Sequence, residues 1–237
     1  MWCETINEAE LQGVSCLVDQ VLRDAAWSGP PVDSLRLARR LGMTIAIDAR
    51  QEPRGRHVRL GGKTAIFVRP EPRPERLQWT VAHEIGESLA HRLEEAVGAA
   101  DWGEAEREQR ANLLATRLLL PTRWFERDAR ALGADLLALK ARYATASHEL
   151  IAWRLLDLDE PAVTTVIDQG RLTRRRSNFG GRLPGWTAFE RECLAESQAK
   201  SQPVVRSKND CSVAVWPVHE PGWRREIVRL VFHDVAE

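Results

Sequence analysis

The sequence is short of sulfur, of tyrosine and of net charge, and each shortage closes off a class of protein. Its 237 residues hold four cysteines, Cys3, Cys16, Cys193 and Cys211. None falls in a C-x-x-C pair, and they are too sparse for a disulfide framework in a chain of this length, so reduced thiols are expected. Thirty-four Lys/Arg cancel 34 Asp/Glu, leaving no whole-molecule field to draw the chain to nucleic acid, an anionic membrane or cationic substrates. No run of about 18 apolar residues occurs, which predicts no membrane-spanning helix. The start, Met1-Trp2-Cys3-Glu4-Thr5, lacks the basic-then-apolar order of a secretion signal, and the expected location is the cytoplasm. There is no internal repeat, and only the short basic stretch from Arg171 to Arg176 is compositionally biased.

What is present is enough apolar surface, 43% of residues, for one domain of about 150 residues and a smaller one. Residues 8–26 place Leu11, Val14, Leu17, Val18, Val21 and Leu22 at helical spacing. A short helix follows Pro31-Val32-Asp33-Ser34, closed by Gly42. Thr44 to Asp48, Arg56 to Leu60 and Thr64 to Arg69 read as strands, the last two joined by a hairpin turn at Gly61-Gly62-Lys63, and together predict a small antiparallel sheet. Pro74-Glu75 opens a helix to about Arg92, and Asp101 to Leu120 forms another, halted by Pro121. Helices near 122–131 and 134–156 complete an α-rich domain. From Pro161 the pattern turns to strand-like runs, at Ala162 to Ile167, Pro203 to Arg206, Ser212 to Val218 and Glu226 to His233. The boundary falls near Asp159-Glu160-Pro161.

The chemistry concentrates in His83-Glu84-Ile85-Gly86-Glu87. Side chains four apart on a helix lie one turn above each other, so His83 and Glu87 share a face and can grip one ion. In the H-E-x-x-H arrangement two histidines hold zinc and the intervening glutamate takes a proton from the attacking water. Here the second histidine is Glu87. Gly86 costs about 1 kcal/mol inside a helix relative to alanine and asks for a reason, such as the close approach of another backbone. The helix carrying Glu108, with small Ala111 and Ala115, supplies a partner and a third carboxylate. His91, one turn beyond Glu87, is a reserve ligand. A site of one histidine and two carboxylates is formally neutral with a divalent ion, hence a weaker Lewis acid, and its oxygen donors let manganese or iron compete with zinc.

These residues stand in a longer order: Pro30-Pro31-Val32-Asp33, then Ala82-His83-Glu84-Ile85-Gly86-Glu87, then Glu108, Ala111, Asn112, Ala115, Leu118, Leu119 and Pro121. In that order and spacing the chain resembles the ImmA/IrrE family of metallo-endopeptidases over roughly residues 10–157. The resemblance implies a zincin-like peptidase domain, here over 1–160; with the strand-like runs after Pro161, read as a small β-rich domain over 161–237, the fold class expected is α+β. It also implies His83 and Glu108 as metal ligands, Glu84 as general base, Glu87 in the place of the second ligand histidine, Zn2+ (or Mn2+ or Fe2+) as cofactor, and a transcriptional repressor in a stress-response or mobile-element circuit as the protein substrate.

A second reading is an inert regulator that binds protein or nucleic acid through its carboxyl-terminal domain, with the Glu87 substitution as its main support. Residues 134–156 read as two helices about a turn at Thr145-Ala146-Ser147, a helix-turn-helix-like segment. Six Lys/Arg against five Asp/Glu between Thr122 and Asp157, a net of +1, favour packing over DNA binding there. Arg171, Arg174, Arg175, Arg176 and Arg182 form a denser patch suited to phosphate or an acidic segment, or one solvated strand or loop. Three of the nine tryptophans, Trp186, Trp216 and Trp223, fall near the carboxyl end, where buried aromatics of a small domain are commoner than a recognition surface. The one tyrosine, Tyr143, offers no pattern for an oxyanion-stabilising group.

Overall fold

The structure, a computed structural model, describes residues 6–98, 102–220 and 222–233. The readings at Met1–Thr5, including Cys3, and at Asp101 lie outside the described residues. The chain divides into two compact units: Met1–Ala131 with Ala141–Ser147, and Leu132–Lys140 with His148–Glu237.

In the first unit, α1 (Glu8–Asp24) starts at Asn7, whose side chain accepts from the Glu10 amide while the Glu10 side chain accepts from the Asn7 amide. Its buried stripe, Val14, Leu17, Val18, Val21 and Leu22, follows the helical repeat read from the sequence. Helix α2 (Ser34–Arg40) is capped by Asp33, and Gly42 follows it at φ 77°, as its position past the helix end requires. Strands β1 (Thr44–Ile47), β2 (Gly55–Leu60) and β3 (Lys63–Val68) form one sheet in the order β1-β3-β2. The hairpin β2–β3 turns through Gly61 and Gly62 at φ 55° and 79°, the two left-handed positions a tight hairpin of this hand needs. The sheet is mixed and not wholly antiparallel, because β1 runs parallel to β3.

Helix α3 (Pro74–Val97) opens with proline in its first turn and runs past Arg92 to a left-handed Gly98 at φ 65°, since nothing before that glycine breaks it. Helix α4 (Glu104–Leu119) ends just before Pro121, and α5 (Thr122–Ala131) follows. The close approach expected at Gly86 is present. A Cβ there would lie 2.7 Å from the Ala111 carbonyl oxygen and 3.2 Å from Leu114 Cβ. The tight α3–α4 pairing is what brings Glu108 of one helix beside His83 of the other. Gly86→Ala would gain about 1 kcal/mol of helix propensity, but the clash is with backbone that cannot rotate away, so overpacking of about 1–3 kcal/mol governs. The expected net result is a lowered urea midpoint at unchanged slope; a raised midpoint would show that the helices yield.

The second unit contains α7 (His148–Arg154), a 3-10 turn (Leu155–Asp157), and an antiparallel sheet in the order β5-β4-β8-β7-β6: β4 (Ala162–Asp168), β5 (Arg171–Ser177), β6 (Val204–Lys208), β7 (Cys211–Pro217) and β8 (Arg225–Phe232). Helix α6 (Leu136–Arg142) precedes α7, so residues 134–156 do form two helices about a turn. A helix that the sequence reading passed over, α8 (Ala188–Lys200), packs Phe189 and Cys193 into a core with Val163, Val213, Val215, Val228 and Leu230. The arginine stretch is strand β5 and is largely engaged within the unit. Arg175 binds the buried Glu190 at 2.7 Å, Arg174 pairs with Glu149, and Arg176 stacks over Trp153 at 4.7 Å. Trp216 is buried and donates to Asp135, and Trp223 donates to Asp168. Cys16, Cys193 and Cys211 are free thiols.

Candidate metal centre

Helix α3 places His83 and Glu87 one turn apart, and α4 brings Glu108 across from them. His83 Nε2 lies 3.4 Å from Glu87 Oε1 and 3.4 Å from Glu108 Oε2. Ligand atoms about 2.0–2.1 Å from one tetrahedral zinc sit roughly 3.3 Å from each other, so these separations are those of neighbouring ligands on one ion. The ligand atoms of all three residues lie within 4.8 Å of one another. The donor set, one imidazole and two carboxylates, fits a divalent cation.

A second set of contacts orients the first. His83 Nδ1 is 3.1 Å from Asn112 Oδ1, and Asn112 Nδ2 donates to Glu108 Oε1 at 3.1 Å. With Nδ1 as donor to the amide oxygen, Nε2 faces the carboxylates, and one asparagine holds both ligands in place. Asn112 sits one turn beyond Glu108 on α4, which is why both reach His83. Glu84 faces His57 and Gly55 and is nearly buried, its side chain 6% exposed, whereas Glu108 is 55% exposed. Space for Glu84 depends on Gly55, where a Cβ would collide with the Glu84 carboxylate and lie 2.6 Å from Thr80 Cγ2.

The structure adds a residue the sequence reading did not single out. His57 on β2 has Nδ1 3.4 Å from Glu84 Oε2 and 3.1 Å from Glu87 Oε2, and His57, Glu84 and Glu87 form a second trio of ligating atoms. Alternation along β2 sets Gly55 and His57 on one face, and the signal was available in that sense, but nothing in the strand says which face meets α3. His91, the reserve ligand, is exposed on α3 and belongs to neither trio. Tyr143 is buried and donates to Asp128 at 2.9 Å; burial, then that bond, push its hydroxyl pKa up.

Charge in the cluster is coupled. Hydrogen bonds to Glu84 and Glu87 raise His57 from its usual 6.5 to about 9, against the cost of burial. Hydrogen bonds from His57 and His83 lower Glu87 to about 2. Burial would lower His83, but its bond to Glu87 and the charges of Glu108 and Glu87 outweigh this and raise it. In metal-free protein, the stabilisation from His57 is complete below pH 6.5 and is lost as pH rises through about 9; that from Glu87 is complete above 4.5 and lost as pH falls through about 2. In the presence of a chelator, the Tm of the wild type is therefore expected to fall more between pH 6.5 and 9 than that of His57→Ala. Equal slopes would remove His57 from the coupling.

Two helices thus bring three candidate ligands together beside a small sheet. The family model described as the IrrE N-terminal-like domain, Peptidase_M78, matches residues 33–155. The chain belongs to this family. No curated protein matches it. Among solved structures, a Mycobacterium tuberculosis transcriptional regulator is similar in fold, with a TM-score of 0.61 and 18% identity over 94% of this chain and 76% of that one. No helix is long and apolar enough to cross a membrane among the described residues.

Proposed function

We propose that the chain is a metal-dependent endopeptidase of the cytoplasm. His83, Glu87 and Glu108 hold the ion, Glu84 is the general base, and the substrate is a regulatory protein such as a transcriptional repressor. The observation that carries the reading is the convergence of three ligating side chains from α3 and α4, with a buried carboxylate at the next position of α3. A divalent ion held there would polarise a peptide carbonyl and acidify water; zinc is the first expectation, and two carboxylate donors leave room for Mn2+ or Fe2+. Glu84 accepts the proton at its carboxylate and passes it to the leaving amine. Because β2 is an edge strand beside Glu84, an extended peptide can pair with it and lay its backbone along the site.

Ion pairs of its arginines support a structural role for the helix-turn-helix-like segment. Arg142 and Arg127 pair with Asp128, and Arg154 with Asp157, so these cations are already engaged within the chain. The test of the reading is elemental mass spectrometry of the purified protein, followed by cleavage of a peptide library with and without chelator. Near-stoichiometric metal and chelator-sensitive, metal-restored cleavage are expected. A folded wild type that takes up no metal would sink it.

A further inference from the structure

The candidate ligands do not gather into one group. They form two trios, His83 with Glu87 and Glu108, and His57 with Glu84 and Glu87, and Glu87 is the member they share. Its two oxygens are divided between them: Oε1 is 3.4 Å from His83 Nε2, and Oε2 is 3.1 Å from His57 Nδ1. Glu84 Oε2, 3.4 Å from His57 Nδ1, completes the second trio. These separations are close to the roughly 3.3 Å between neighbouring ligands on an ion of zinc's size. Strand β2 makes the arrangement possible, because Gly55 and His57 lie on one of its faces and Gly55 leaves room for the Glu84 carboxylate. The Glu84 side chain is 6% exposed, while that of His57, at 30%, leaves the trio open to solvent.

We propose that His57, Glu84 and Glu87 form a second divalent-cation site, weaker than the first and joined to it by the Glu87 carboxylate, which bridges the two ions. This rests on the metal centre proposed above. Glu87 is what permits it. A carboxylate can give one oxygen to each of two ions about 3.5–4 Å apart, whereas a neutral imidazole has one nitrogen to give. Two causes make the second site the weaker. Asn112 orients both His83 and Glu108, and such partners are worth about 10–100-fold in affinity; no such partner holds His57 among the described residues. A second dication also meets the repulsion of the first. The consequence is regulation by metal supply. An ion in this site occupies the Glu84 carboxylate, which then cannot accept a proton from water, so excess metal silences the centre that the first ion activates.

Zn2+ stoichiometry and affinity by graded chelator competition, with folding checked by circular dichroism, test this on wild type, His57→Ala and Glu87→His. Wild type should take up one ion tightly and a second at least about 10-fold more weakly. Both variants should keep the first and lose the second: His57→Ala because a donor is gone, Glu87→His because the substituted side chain can ligate one ion but cannot bridge two. Wild type loaded with Mn2+, which needs no variant, should give the electron paramagnetic resonance of an exchange-coupled pair. Zn2+ beyond the first equivalent should inhibit cleavage by wild type, and the same inhibition in His57→Ala would overturn the regulatory role. A wild type that takes no second ion, a folded His57→Ala that keeps it, or two Mn2+ without coupling would overturn the inference while leaving the metal centre standing. A wild type that binds neither Zn2+ nor Mn2+ would overturn the centre itself, and with it this site.

Discussion

His83→Ala should lose Zn2+ by more than about 100-fold in affinity while remaining folded. The imidazole is the one neutral donor in its trio, and it faces both Glu87 and Glu108 at 3.4 Å. Without it, an ion would meet two carboxylates from two helices with no imidazole between them. The cost to the fold is small by comparison. His83 is the least exposed of the three, its side chain 16% exposed against 35% for Glu87 and 55% for Glu108; its removal takes the partner from Asn112 Oδ1, while Asn112 Nδ2 still donates to Glu108 Oε1. Asn112→Ala makes the graded comparison, because it leaves every ligand present but removes the bond that fixes the His83 ring; about 10–100-fold is expected there. Chelator competition and thermal unfolding of the two variants, measured together, give the ordering. If His83→Ala binds zinc as tightly as wild type, the trio is not the centre and the ion must be sought at His57, Glu84 and Glu87.

The parts of this molecule that could be read in advance are those written into local spacing. Val14 to Leu22 repeats at helical intervals and is the buried stripe of α1; the paired glycines 61 and 62 are the hairpin. Gly86 was legible through its cost, and the Ala111 carbonyl explains it. The candidate site residues on α3 and α4 could be named from their order along the chain, and the structure brings them together. What the spacing could not convey was which strand face meets α3, because alternation divides β2 into two faces without saying which is inside, and so His57 stayed hidden. The same holds for β1, whose parallel pairing with β3 depends on a crossover and not on its own residues. Helix α8 was missed for a different reason. Its apolar stripe is reduced to little more than Phe189 and Cys193, although Thr187 and Glu190 form a capping box in plain sequence view. The arginines of β5 looked like a patch because a sequence shows charge but not the Glu190, Glu149 and Trp153 that absorb it.

Glu84→Gln should separate chemistry from metal binding more cleanly than any other change. Glutamine has the size of glutamate, so the tight space beside Gly55 and Thr80 is kept, and it retains an oxygen to face His57. What it cannot do is accept a proton. If Glu84 is the general base, cleavage of an identified substrate falls by about 10²–10⁴-fold, while metal content stays at the wild-type level because His83, Glu87 and Glu108 are untouched. The same variant tests the competing geometry, in which Glu84 joins His57 and Glu87 as a ligand. An amide is a much poorer ligand than a carboxylate, so in that case metal and activity would fall together. Glu84→Asp sharpens the distinction: the carboxylate survives but withdraws by one methylene, so a base acting at a fixed distance loses rate while its chemistry remains available. Inactive Glu84→Gln with full metal, and Glu84→Asp slowed but not silent, is the pattern of a positioned base. Full activity in Glu84→Gln would mean that another group takes the proton and that Glu84 is not the base.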